Sequence, residues 1–275
     1  MNVRRIDAGI PAAGTEQTPI VPWSAGASRV PKAQYIPVVL NIPAGPFWMG
    51  SPSDDPGAGG DEGSQRELDL PGYQIGRFPV TNAEYACFVL ASSYKPPDHW
   101  PNGEVPEGLE DHPVVNVSWE DVEAYCQWIS QVTGRQYRLP TEEEWEKAAR
   151  GGLPETRIYP WGDEWQSEIC NTIELARGKT SPIHEFEQVN ASPFGAVDMA
   201  GNVWEWTAGS YGRDPGSLDP SSQYGHLDRG VRGGSWQNSR QSACISCRGQ
   251  CKPDERHPYL GFRVALDASP RTDDL

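Results

Sequence analysis

Three stretches decide how this chain is read: Asp198-Met199-Ala200-Gly201-Asn202-Val203-Trp204-Glu205-Trp206, Arg232-Gly233-Gly234-Ser235-Trp236 and Gly261-Phe262-Arg263. Asn202, Trp204 and Trp206 read as core, an amide bonded to loop backbone beside buried indoles. Asp198 and Glu205 are two anions that, held close, need a cation or an arginine. Outward from these stretches the chain keeps the same character. It carries 11 Trp with 29 Gly and 26 Pro in 275 residues, which argues against a helical bundle. Abundant Trp and 22% charged residues argue against disorder. The length suits one large domain or two small ones. The expectation is a fold rich in turns and irregular backbone, held by aromatic anchors.

A formal charge of −15 repels phosphate backbones and anionic lipid, so neither nucleic acid nor membrane is expected as a partner. Met1 to Asp7 leads into no apolar stretch, and the run from Tyr35 to Ile42 is too short to span a bilayer. A cytoplasmic protein is the expectation. Cys87, Cys126 and Cys170 sit singly in apolar or helical settings and read as buried thiols. The stretch 51–64 reads as a solvated acidic loop without EF-hand spacing.

Three helices announce themselves by their caps. Thr81 with Glu84, Ser118 with Asp121, and Thr141 with Glu144 each give a capping-box pattern. Val122, Tyr125, Cys126, Ile129 and Val132 follow at helical steps, and Gly134 and Gly151-Gly152 suit C-terminal stops. Strand-like pieces run from Tyr35 to Leu40, Phe47 to Gly50, Tyr73 to Ile75, Val231 to Trp236 and Gly261 to Ala265. The carboxylates from Glu142 to Glu146 read as cap and helix-surface groups. No phosphate loop, zinc-protease helix or serine-nucleophile motif is present.

Further blocks line up in order with the first three: 42-IPAGPFWMG-50, 79-PVTNAEY-85, 112-HPVVNVSW-119, 138-RLPTEEEWE-146 and 159-YPWG-162. The series resembles the sulfatase-modifying-factor family, which contains the formylglycine-generating enzymes. The resemblance spans about residues 36–266. It implies an α+β domain of C-type-lectin-like topology over residues 35–267, between a flexible lead-in (1–34) and a tail (268–275).

That family mixes functions. It holds copper-dependent oxidases, iron-dependent sulfoxide synthases, catalytically silent paralogues and the variable ligand-binding proteins of diversity-generating retroelements. By resemblance, the oxidases place two Cys two and seven residues past the aromatic after Gly-Gly-Ser. Here those positions are Asn238 and Ala243. A thiolate pair suits Cu(I), and Asn and Ala cannot replace it, so no copper and no catalytic residue are expected. Cys244 is one residue out of register, and in an extended segment one step reverses side-chain direction. An oxidoreductase using displaced cysteines is the competing reading, and a catalytically silent interaction module is another. Cys244-x-x-Cys247 has the spacing of a zinc half-site or redox pair; Cys251 and His257 could add ligands, but a second half-site is missing. The five His are scattered, which excludes the iron-dependent branch.

The segment 237–260 fits the variable proteins by its length and framework positions. Ser239, Ser242, Cys247, Gly249, Cys251, His257, Pro258 and Tyr259 are each reachable from an Asn codon through its first two bases; Gln250 is not. The expectation is a protein that binds a protein or other macromolecular ligand through Gln237, Ser239, Ser242, Cys244, Cys247, Gly249, Gln250, Cys251, His257 and Tyr259. From Arg229 to Arg263 there are seven basic residues against two acidic ones, which favours an acidic or mixed-charge ligand. Arg232, Arg256 and Arg263 read as framework groups paired with carboxylates. Structural calcium is implied by the resemblance. One site would use Asp198 and Glu205 with the carbonyls of Gly201 and Val203, and a second Asn171 with the carbonyl of Thr172.

Overall fold

The three capping signals each start a helix. In a computed structural model, which describes residues 36–51, 65–211 and 228–268, α1 spans Asn82–Ser92, α2 Trp119–Thr133 and α3 Glu142–Arg150. Both halves of the capping box form at Thr81, Ser118 and Thr141, so Asp121 does the work usually given to Glu. Gly134 ends α2 in the left-handed region. The lead-in, residues 52–64 of the acidic loop and residues 269–275 of the tail lie outside the described residues.

Among the described residues ten short strands make three sheets. They are β1 (Val39–Ile42), β2 (Gly45–Met49), β3 (Arg66–Leu70), β4 (Tyr73–Gly76), β5 (Tyr137–Arg138), β6 (Trp204–Ser210), β7 (Arg229–Arg232), β8 (Arg248–Cys251), β9 (Leu260–Gly261) and β10 (Ala265–Asp267). One antiparallel sheet has the order β1-β4-β10-β5, so the strands nearest the two ends of the domain flank the same partner. β2 and β3 pair alone, and the last sheet runs β8-β7-β6-β9, with β6 and β9 parallel. No helix among the described residues is long and apolar enough to cross a membrane.

Several sequence expectations shift. Gly261 to Ala265 is not one strand: β9 and β10 belong to different sheets, and the chain passes between them at Phe262, Arg263 and Val264, all buried. The stretch read as loop and core at Trp204 is the longest strand. β6 lies between two clusters, with Trp206 in the cluster of α1 and α2 and Glu205 turned to Trp145 of α3 on the other face. In the larger cluster Tyr85, Phe88, Tyr125 and Phe262 meet edge to face or stacked, and Trp128 packs on Tyr125 at a tilt.

Indole N–H groups tie the irregular segments together. Trp206 Nε1 donates to Val117 O at 3.0 Å, Trp119 Nε1 to Thr207 O at 3.0 Å, and Trp236 Nε1 to Pro258 O at 3.3 Å. Gly201 marks a close approach between loops. Its φ is +78°, and a Cβ there would sit 2.5 Å from Asn171 O. Gly201→Ala is expected to lower stability by about 2–4 kcal/mol, from left-handed strain plus backbone overlap. Urea unfolding checks this; a loss under about 0.5 kcal/mol would mean the 171 loop yields freely.

Candidate functional site

The two positions that the resemblance assigns to catalytic cysteines are both part of the scaffold. Asn238 Oδ1 accepts from Trp204 Nε1 at 2.8 Å and from Ser235 Oγ at 2.6 Å, while its carbonyl accepts from Ile173 N at 2.9 Å. Ala243 is a buried methyl at the end of a 3-10 turn, Arg240–Ala243. That turn replaces the extended segment expected from the sequence. It presses on Gly234, whose φ is +69° and where a Cβ would meet Ser242 O at 2.6 Å. Cys244, next in line, is 5% exposed and its thiol donates to Gln241 O at 3.3 Å.

Segment 237–260 divides the ten expected ligand contacts. Gln237 and Gln250 are exposed, while Ser239, Ser242, Cys247, Cys251, His257 and Tyr259 are half-buried. Gly249 is half-buried as well, packed against Trp204, where a Cβ would sit 2.9 Å from Val231 Cγ2. One is corrected: Cys244 faces the interior beside Ile245 and Ser246. The sequence treats it as displayed because it cannot distinguish a buried thiol from a surface one. The backbone of the segment is pinned from outside: Trp119 N donates to Pro253 O at 2.9 Å, Asn116 N to His257 O at 3.0 Å and Trp204 N to Tyr259 O at 2.8 Å.

Charge on this face is mostly spent internally. Arg263 binds Glu205, Arg232 binds Glu146, Arg248 binds Glu142 at 2.7 Å, and Arg256 binds Asp121 at 2.8 Å. Arg229 lies over the Trp119 ring at 4.0 Å. Of the exposed bases, Arg240 lies by Glu174, whose carboxylate accepts from its backbone N–H at 2.9 Å, and Lys252 makes no ion pair among the described residues. The basic patch expected for an acidic ligand is therefore largely neutralised. The partners also overturn the helix-surface reading of α3. Glu142, Glu144 and Glu146 are buried, and Lys147 donates to the carbonyls of Pro43 and Gly45 at 2.8 and 2.7 Å. Burial alone would push the Glu146 carboxyl up, but Arg232 and Arg150 hold it below the ordinary carboxylate range. The spacing Glu146-x-x-x-Arg150 is the sequence signal for part of this network.

The first expected calcium site has a different counter-charge. Glu205 Oε2 accepts from Arg263 Nε at 2.6 Å and Trp145 Nε1 at 2.8 Å, and Oε1 accepts from Arg263 NH2 at 2.6 Å. Both oxygens are engaged by an arginine that is itself fully buried, so Glu205 does not fit a calcium ligand in this arrangement. Asp198 accepts only neutral amides in the described residues, from Asn190 at 3.1 Å and Asn202 at 2.9 Å. Burial pushes its carboxyl up to about 6. Gly201 and Val203 are buried beside it. At the second site Asn171 Oδ1 is a buried acceptor without a hydrogen-bond partner among the described residues, which fits an oxygen ligand for a hard cation. Thr172 is buried next to it.

Comparison with known proteins agrees with this fold. The sulfatase-modifying factor enzyme 1-like domain matches residues 26–268, and the chain belongs to that family. It is 33% identical to the mouse (Mus musculus) protein described as inactive C-alpha-formylglycine-generating enzyme 2, over 87% of this chain and 89% of that one. Among solved structures, PvdO from Pseudomonas aeruginosa superposes with a TM-score of 0.71 at 28% identity, covering 84% of this chain and 95% of its own. Treponema denticola variable protein 1 shares the fold at a TM-score of 0.66 and 21% identity, with 84% and 95% covered.

Asp198 gives a pH dependence with a definite sign. Its folded carboxyl titrates near 6 against an ordinary 3.8, so the folded state holds the proton longer. The stability this contributes is complete below pH 3.8 and is lost as pH rises through about 6, a fall of roughly 3 kcal/mol. Asp198→Asn should remove that slope. Unfolding midpoints of both proteins from pH 3.5 to 7.5 (about ten values) decide it; parallel curves would exclude Asp198 as the source.

Proposed function

We propose that this member of the sulfatase-modifying-factor family is a non-catalytic ligand-binding protein, with residues 237–260 as its recognition surface. Asn238 carries the reading. Where the family's oxidases are expected to place a copper-binding thiolate, its carboxamide instead locks the Trp204 indole and the Ser235 hydroxyl. Soft Cu(I) has no sulfur at that point, and the buried Ala243 supplies none at the other. The description of the mouse relative as inactive supports the same reading.

Binding would use Gln237, Gln250, Ser239, Ser242, His257 and Tyr259. These are adaptable hydrogen-bonding groups and one stiff aromatic on a backbone already fixed by the rest of the fold. Little ordering remains to be done on association, which favours affinity without large buried area. A protein with a polar, mixed-charge epitope suits such a face better than an acidic one. Diversification of this segment by a retroelement is the finer form of the proposal and is supported by the Asn-reachable codons at 239, 242, 247, 249, 251 and 257–259. Calcium belongs to this reading at the Asn171–Thr172 corner, where the buried Asn171 Oδ1, without a hydrogen-bond partner among the described residues, supports it.

A photo-crosslinking residue placed at Gln250, in cells of the source organism, should give a discrete protein adduct, whereas one at exposed Leu90 should not. Identical patterns at both positions would count against the surface assignment. Titration with Cu(I), followed by oxygen consumption on a Cys-containing peptide, should show neither stoichiometric copper nor turnover. Copper binding and turnover that both vanish in Cys244→Ser and Cys247→Ser would overturn the non-catalytic reading. For diversification, the locus should hold a near-copy of codons 237–260 beside a reverse-transcriptase gene; a locus without them refutes that part alone.

A further inference from the structure

Three side chains of the display segment converge in a way that surface contact does not require. Cys251 closes β8, Glu255 follows in the next turn, and His257 stands before β9. The Sγ, a carboxylate oxygen and a ring nitrogen of these three all lie within 4.8 Å of one another. His257 Nε2 is 3.6 Å from Glu255 Oε2. Among the described residues this is the one such group of three or more Cys, His, Asp or Glu. All three residues are half-buried, so their ligand atoms meet in a sheltered but reachable place.

The backbone under the cluster is fixed on every side. Cys251 is held opposite Arg229 in the β7–β8 ladder. The turn that carries Glu255 is closed twice, by Glu255 N donating to Lys252 O at 3.0 Å and by Lys252 N donating to Glu255 Oε2 at 3.2 Å. Pro253 and His257 are tied through their carbonyls to Trp119 and Asn116. The His257 ring is oriented by stacking on Tyr259, with centroids 5.0 Å apart and planes 6° from parallel.

Thiol sulfur, imidazole nitrogen and carboxylate oxygen together form a borderline-soft donor set. Hard Ca²⁺ or Mg²⁺ would not use the sulfur, whereas Zn²⁺ takes all three. Tetrahedral zinc, with bonds of about 2.0–2.3 Å, places ligand atoms about 3.5 Å apart, so closure requires side-chain movement of about one ångström. The half-site suggested by Cys244-x-x-Cys247 is different: Cys244 is buried and bonded to Gln241 and Ser246.

We propose that Cys251, Glu255 and His257 form a three-ligand zinc site whose fourth position is open to water or to a side chain of the bound partner. Zinc there would staple the end of β8 to the approach to β9 and stiffen the display face. The site stands on its own residues and does not depend on the ligand-binding reading.

Cobalt(II) is the probe, added to the full-length chain after chelator treatment. It should bind one equivalent with a thiolate-to-cobalt charge-transfer band and the strong visible bands of a four-coordinate ion, and zinc should displace it. Cys251→Ser should lose the charge-transfer band. Glu255→Gln and His257→Ala should each weaken binding at least about tenfold, the loss that even outer-shell partners of a ligand show. Cys247→Ser should bind as the parent does. Every variant is first required to match the parent's melting temperature in chelator; zinc should then raise the parent's and not that of Cys251→Ser. Absence of saturable cobalt or zinc binding in the parent overturns the proposal. A charge-transfer band that survives Cys251→Ser but vanishes in Cys247→Ser does the same. Either result leaves crosslinking at Gln250 untouched, so the two readings fail separately.

Discussion

The buried ion pair between Glu205 and Arg263 is the constraint from which most of the architecture follows. Arg263 sits between two strands that belong to different sheets, and its guanidinium also reaches Gly76 O at 3.0 Å and Val197 O at 2.9 Å. One side chain thus joins β6, the end of β4 and the loop before Asp198. Trp145 brings α3 to the same carboxylate. Such a pair is stabilising only when every donor and acceptor is satisfied, because a lone charge in that position would cost several kcal/mol. Here the geometry satisfies it, so sheets too short to organise a core alone are fixed relative to one another.

The same economy holds the loop after Gly-Gly-Ser. Asn238 and Ala243 keep it in place through an indole, a hydroxyl, a backbone carbonyl and a buried methyl. None of these interactions needs a metal. The path of the segment that follows is set by Asn116, Trp119 and Trp204 on neighbouring elements. The arginines that look like a charged face in the sequence belong to this framework as well.

Local signals were legible where the physics is local. The three caps, the αL glycine after α2 and the buried single thiols could all be read from neighbouring residues. Strands were harder. β3, Arg66–Leu70, pairs only with β2 among the described residues, and its alternation is short, with Leu68 and Leu70 set between Glu67 and Asp69. β6 alternates as Trp204-Glu205-Trp206-Thr207-Ala208, but Glu205 and Thr207 are buried as well, so the polar positions do not mark a solvent face. Arg248, Arg232 and Arg263, which bind Glu142, Glu146 and Glu205, lie 58 to 106 residues from them, and no spacing rule reaches that far. For the same reason the sequence left the choice between a cation and an arginine open at Glu205, and it gave the cluster of Cys251 and His257 without Glu255.

The placement of β1 and β10 on either side of β4 has a mechanical consequence. Both run antiparallel to β4, with the chain entering at Val39 opposite Gly76 and leaving at Asp267 opposite Tyr73. Tension applied through the two ends of the domain therefore slides both strands along β4 in opposite senses. Hydrogen bonds loaded this way share the force and must break together, whereas bonds peeled from one end break in turn. A domain anchored through its ends would resist pulling by this sheet, and the segment 237–260 lies outside the loaded strands.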